Sequence, residues 1–221
     1  MCGIVGLLVK TPALRARLGE LMVPMLIGMT ERGPDSAGLA VFGPLLEGSQ
    51  RKISLYSGLT EDGADFNWQG LAHELDAHLG VPVSLDAKDN HAIVQFDVAP
   101  AIVKRWIAEH HPRLHLLSTG RSIDLYKDIG TPAQVAARYN FTQLTGSHLV
   151  GHTRMATESA VTPDRAHPFT AGEDFCLVHN GSLSNPYGIR RMLEPRGITF
   201  ETDNDTEAAC RFLEWRLREG D

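Results

Sequence analysis

Apolar residues recur along this chain with two different periods, and the switch between them marks its elements. An uninterrupted apolar run, Ile4-Val5 and Leu7-Leu8, reads as a short buried strand at the N-terminus. Thr11-Pro12 then has the chemistry of a helix start, with Thr at the N-cap and Pro at N1. Leu18, Leu21, Met22, Met25, Leu26 and Met29 follow at helical spacing, with Pro24 inside the pattern, which predicts a kink or two short helices. The methionines in this stripe read as core packing. Gly33-Pro34 ends the segment, and 39–42 predicts a second strand. Ala37 and Gly38 before it permit close backbone approach, suited to a strand beside the chain's start.

Beyond residue 43 the pattern shortens. Strands are expected at 52–56, 92–98 and 114–117, and helices at 65–78, 100–110 and 132–139, the second with Ile102, Val103, Trp106 and Ile107 on one face. This alternation predicts a small α/β subdomain at about 45–147, inserted into a parent fold. From 149 the strand period returns, at 149–153 and again at 175–178, and each of these strands runs into polar residues. A helix over 189–193, a short strand at 198–200 and a final helix opening at 203–207 complete the pattern. Ala208, Ala209, Phe212, Leu213, Trp215 and Leu217 form the last helix's apolar side, and Gly220 is its C-cap.

Composition narrows the possibilities. The 221 residues are enough for one large domain or two small ones. A formal net charge of -6 argues against a nucleic-acid surface. No apolar run approaches the roughly 18 residues of a membrane span, and the start lacks the basic segment of a signal peptide. Three cysteines without C-x-x-C spacing fit a reducing compartment, so cytoplasm is expected, with Cys176 and Cys210 as buried structural thiols. Six histidines fall in the inserted region, but none has metal-ligand spacing, so neither a metal nor another cofactor is expected.

The candidate chemistry begins at Cys2. Loss of Met1 would give one residue both a thiol nucleophile and a free α-amine able to act as its base. That amine's ordinary pKa of about 7.7–8.0 lies near working pH. The alternative is a small buried cysteine. His179-Asn180-Gly181 follows a strand and could expose amide donors there; Asn-Gly is also a common hairpin turn. Asp203 or Asp205 at a helix start could be only a cap.

Taken together, Cys2-Gly3-Ile4, Arg32-Gly33-Pro34-Asp35-Ser36-Ala37-Gly38, the 151–157 segment (Gly-His-Thr-Arg-Met-Ala-Thr), His167-Pro168, His179-Asn180-Gly181 and the 202–207 segment (Thr-Asp-Asn-Asp-Thr-Glu) resemble the class-II glutamine amidotransferases. The resemblance implies an α+β fold, a four-layer α-β-β-α sandwich of the N-terminal-nucleophile hydrolase type, over residues 1–221. Within that family the chain looks most like the stand-alone amidotransferase subunits related to glutamate synthase, that of N-methylglutamate synthase foremost. Met155 stands where one subgroup has Trp, which counts against an aminosugar synthase. Family members usually continue with more strands past the last helix, so a sandwich truncated at its C-terminal side, or a fragment of a longer protein, is expected.

By position the resemblance makes Cys2 the nucleophile and Asn180 and Gly181 the oxyanion pair. It makes Arg154 the partner of the glutamine α-carboxylate and Asp205 that of its α-ammonium, with Asp203 the less favoured register. It implies L-glutamine as substrate and a synthase subunit that consumes the ammonia. A non-catalytic subunit retaining the fold is the alternative.

Overall fold

The N-terminal strand lies at a sheet edge. In the computed structural model, which describes residues 2–58, 66–155 and 162–220, β1 (Gly3–Leu8) pairs antiparallel with β8 (His148–Arg154). β8 pairs with β2 (Ser36–Phe42), and β2 with β7 (Ile123–Ile129), giving the order β1-β8-β2-β7. The strand beside the chain's start is therefore β8, not β2 as expected. The antiparallel register sets Gly3 opposite Thr153 and Ser36 opposite Arg154, so the C-terminal end of β8 lies between the start of β1 and the start of β2.

One face of this sheet is covered by α1 (Leu18–Ile27) and α4 (Pro132–Arg138), with Val5, Leu39, Val41, Tyr126 and Leu149 in the shared core. α1 buries Leu18, Met22 and Leu26, one stripe at i, i+4, i+8. Pro24 does not break it. It lies on the exposed side, where the carbonyl that loses its partner can meet water. The break comes earlier, where a 3-10 segment, Pro12–Arg17, hands over to α1, and Thr11 makes no side-chain cap. Met25 is exposed, so the methionine stripe is only partly core. β1 is half-buried, because period 2 turns Val5 inward and leaves Ile4 and Leu8 exposed.

A second sheet, β4-β5-β3-β6, is built from β3 (Arg51–Tyr56), β4 (Ser84–Lys88), β5 (His91–Phe96) and β6 (His115–Gly120). It packs against α2 (Trp68–Leu79) and α3 (Pro100–His110) around Ile53, Leu75, Val94, Val103 and Trp106. Of the stretch 45–147, this unit takes 51–120, while β7 and α4 return to the first sheet. Neither β4 nor β7 was expected. Tyr56 and Leu117 of the second sheet pack on Ala40, Ile123 and Leu125 of the first.

A two-stranded ladder of β9 (Phe169–Thr170) and β10 (Cys176–Leu177) leads into α5 (Pro186–Leu193) and α6 (Asp205–Glu219). Residues 198–200 form no strand. α6 ends at Gly220 in the left-handed conformation, as expected of a C-cap. Its expected apolar side is rotated: Thr206, Glu207, Ala208 and Cys210 are buried, whereas Leu213 and Leu217 are exposed. Cys210 packs with Phe169 and Ala171, and burial pushes the Cys176 and Cys210 thiols up to about 12. No helix among the described residues is long and apolar enough to cross a membrane. Met1, the start of the helix expected at 65, and Ala156 and Thr157 lie outside the described residues.

Candidate active site

The start of β1 is held closely. A Cβ added at Gly3 would lie 2.8 Å from the Thr153 hydroxyl oxygen and 2.9 Å from the Met29 Cβ. One added at Gly33 would lie 2.4–2.6 Å from backbone atoms of Thr153 and Arg154. Both positions therefore require glycine, and together they bring the terminus, the end of β8 and the 30–33 turn into contact. Gly38, expected to serve the same purpose, instead admits the carbonyl of His167. Cys2 is half-buried and, with Met29, Arg32 and Asn180, lines a pocket of about 330 Å3. Arg32 drew no role from the sequence.

Asn180 reaches this pocket from the far end of the chain. Its Nδ2 donates to the carbonyl oxygen of Cys2 at 2.9 Å. Neither Asn180 nor Gly181 has positive φ, whereas a type I′ hairpin turn needs it at both central residues. The Asn-Gly pair is therefore not that turn. It follows β10 and leads to α5, whose N-cap Asn185 accepts from the Gly188 N–H.

Asp205 is not the cap of α6. The cap is Asn204, whose side chain accepts from the Thr206 N–H at 2.9 Å. Asp205 turns back toward the Asn-Gly segment, and its Oδ2 accepts from the Leu183 N–H at 2.7 Å. Asp203 pairs instead with Arg165 at 3.3 Å. Arg154 closes β8, half-buried, with its carbonyl accepting from the Asp35 N–H at 3.0 Å. Of the residues named from the sequence, Cys2 and Asn180 are in direct contact, Asp205 joins their segment through Leu183, and Arg154 is one residue beyond the partner of Gly3.

Beneath these lies a polar seam that sequence reasoning quoted in motifs but gave no task. His152 of β8 stacks on His167 with ring centroids 4.2 Å apart. His167 Nε2 lies 2.9 Å from Thr206 Oγ1, and His179 Nδ1 lies 3.3 Å from the same oxygen. The same hydroxyl lies 3.4 Å from Asp205 Oδ1, to which it can donate its one proton while its two lone pairs accept from the rings. Burial lowers His152 to about 4, and lowers His167 to about 2 with help from the charges of His152, Lys127 and Arg154. Both rings are neutral near pH 7. Among the described residues no group of three or more His, Cys, Asp and Glu could hold a metal ion. The signal that could have exposed this seam is the recurrence of His at three strand ends, at 152, 167 and 179.

Similarity to known proteins bears on this arrangement. Residues 152–220 match the family model described as a glutamine amidotransferase domain. The whole chain is 47% identical to 71% of the glutamine amidotransferase-like protein GlxB of Rhizobium meliloti (strain 1021). It is 32% identical to 74% of a protein of Methanothermobacter thermautotrophicus whose name also carries the words glutamine amidotransferase. A glutamine–fructose-6-phosphate aminotransferase of Methanococcus maripaludis is 32% identical over 44% of this chain and 16% of its own length.

Proposed function

The chain belongs to the glutamine amidotransferase family, and from that premise we propose that it hydrolyses L-glutamine to glutamate and ammonia through a thioester on Cys2. The observation that carries this is the 2.9 Å hydrogen bond from Asn180 to the carbonyl of Cys2, joining positions 178 residues apart. An amide NH2 has two protons to donate. One holds the nucleophile's backbone, and the other is left for an oxyanion.

In the proposed reaction the α-amine of Cys2 takes the thiol proton, and the sulfur attacks the side-chain carboxamide carbon. The carbonyl electrons move to oxygen, where the Asn180 amide and the Gly181 N–H stabilise the charge. The intermediate collapses, the C–N bond breaks, and the amine's proton leaves with ammonia. Water then cleaves the thioester, releasing glutamate and restoring the thiol. Arg154 offers the α-carboxylate a planar fork. Asp205 keeps acceptor capacity for the α-ammonium beyond its bond to Leu183.

We read residues 1–221 as one amidotransferase domain of the N-terminal-nucleophile type, with 51–120 as the body of its inserted subdomain. The β9–β10 ladder, in contact with α6 on one side and facing the first sheet through the His152–His167 stack, supports an α-β-β-α layer order. The ammonia would pass to a synthase partner, with N-methylglutamate or glutamate synthase subunits the leading candidates. The three free cysteines among the described residues fit a cytoplasmic setting.

The test is a glutaminase assay on protein shown by intact mass to lack Met1, with and without candidate synthase subunits. Glutamate and ammonia should appear in equal amounts, and Cys2→Ala should abolish both while leaving the circular dichroism spectrum unchanged. Wild-type turnover by Cys2→Ala would refute the nucleophile. A folded wild-type protein inactive in every combination would favour the non-catalytic subunit.

A further inference from the structure

A second cavity, of about 190 Å3, lies away from Cys2, between α3, β6 and the start of α6. Its walls include Lys104, Thr119, Lys127 and Arg211 together with the carboxylates Glu201 and Glu207, and none of Cys2, Arg154, Asn180 and Asp205. We propose that this cavity binds a small anion bearing a carboxylate or phosphate group.

The wall chemistry has three parts. Lys104 projects from α3, half-buried, and makes no hydrogen bond or ion pair among the described residues. Burial lowers its pKa, with the Arg211 charge acting in the same direction and the charges of Glu173 and Glu201 opposing it. Thr119 is only 4% exposed, and its hydroxyl has no hydrogen-bond partner. A buried hydroxyl left unpaired carries a desolvation cost that a ligand oxygen would remove. Arg211 completes the wall, with its Nε on Glu207 at 3.0 Å and Nη2 at 3.4 Å from Glu201.

The carboxylates present pair with Arg211 but leave Lys104 and the Thr119 hydroxyl without a partner among the described residues. Glu207 is saturated by the backbone N–H groups of Glu201 and Thr202, the Thr202 hydroxyl and Arg211. Glu173, outside the lining, is paired with Arg51 at 2.8 Å. A cavity with an uncontacted ammonium, a guanidinium edge and an unpaired hydroxyl suits an oxyanion. At about 30 Å3 per water, the volume is equivalent to about six waters, the size of a small organic acid or a phosphate. Thr202 and Glu207 also fix the turn that enters α6, so the cavity adjoins the helix that begins with Asp205.

Isothermal titration calorimetry of the full chain, with 2-oxoglutarate and with inorganic phosphate at constant ionic strength, tests the site. Saturable one-to-one binding of at least one anion is expected, and which of them binds identifies the headgroup. Cys2→Ala should bind equally well, since the cavity is separate from the nucleophile. Lys104→Met should weaken binding about tenfold or more, as expected for loss of a charge-assisted contact. Lys104→Arg should restore most of it, and Thr119→Val should weaken it while keeping the side-chain volume. No saturable binding by either anion, equal binding by Lys104→Met, or loss of binding in Cys2→Ala would each overturn the proposal.

Discussion

Asn180 is where one hydrogen bond can be set against a turnover number. Its amide contacts the backbone of Cys2, and its free proton would meet charge that exists only in the transition state. Asn180→Ala should therefore lower kcat by about 10²–10³, with little change in KM. The contact is on an exposed residue, so the melting temperature should barely move. Steady-state kinetics with a melting curve on the same variant decide the matter. Normal kcat with lowered stability would leave Asn180 a structural strut. Asn180→Asp is the harsher form, because a carboxylate would repel the oxyanion that an amide stabilises.

The segments that bring these residues together meet at the histidine seam, where β8, the 167 turn, the end of β10 and α6 share His152, His167, His179 and Thr206. The folded pKa values of His152 and His167, about 4 and about 2, lie below the unfolded value of about 6.5. The unfolded chain therefore binds more protons in between, and stability rises with pH there. The contribution is complete above about pH 6.5 and is lost as pH falls toward the folded values. Urea unfolding between pH 6.5 and 4.5 should show this slope. His152→Phe, which keeps a ring against His167, should reduce it by up to about 1.4 kcal/mol per pH unit. An unchanged slope in that variant would place the acid sensitivity elsewhere.

At this same scale the sequence was legible where one period dominated and opaque where pairing lay far along the chain. α3 was read end to end because Pro100 starts it and Val103, Trp106 and Ile107 face one core. β4 was missed because Ser-Leu-Asp-Ala-Lys is an edge strand with little to bury. β7 was missed because its charges look exposed, yet Asp124 meets Lys52 at 2.7 Å and Asp128 meets Arg138 at 2.5 Å. The rotation of α6 was unreadable for a related reason: its buried side includes Glu207, whose partners are backbone groups at 201 and 202. The motifs around the site could be read one at a time. That Asp205 would turn from a capping position toward Leu183 depends on Asn204 taking the cap, and that required the fold.

Across the molecule, the two sheets form one body through specific contacts. Ile123 and Leu125 of the first pack on Tyr56 and Leu117 of the second, and the Leu125 N–H donates to Ser54 Oγ at 3.0 Å. Tyr139, beside α4, reaches Asn90 in the second sheet's hairpin at 2.6 Å and also contacts Asp128 of β7. These contacts predict a single cooperative transition for a chain that reads as a fold with an insertion. Two of the three tryptophans make this measurable once Trp215 of α6 is replaced by Phe, since Trp68 and Trp106 both sit in the core of the second sheet. Leu26 is fully buried on α1, in the core on the first sheet's other face. Leu26→Ala should cost about 2–5 kcal/mol, and each kcal/mol lowers the melting temperature of a domain this size by about 2–4 °C. If the sheets unfold together, tryptophan fluorescence and far-UV circular dichroism should show the same lowered midpoint, although neither Trp68 nor Trp106 belongs to the core that holds Leu26. A fluorescence midpoint fixed at its wild-type value while the dichroism midpoint falls would show that 51–120 melts as a separate unit, and that the Leu125, Ser54 and Tyr139 contacts are too weak to couple it to the sheet that carries Cys2.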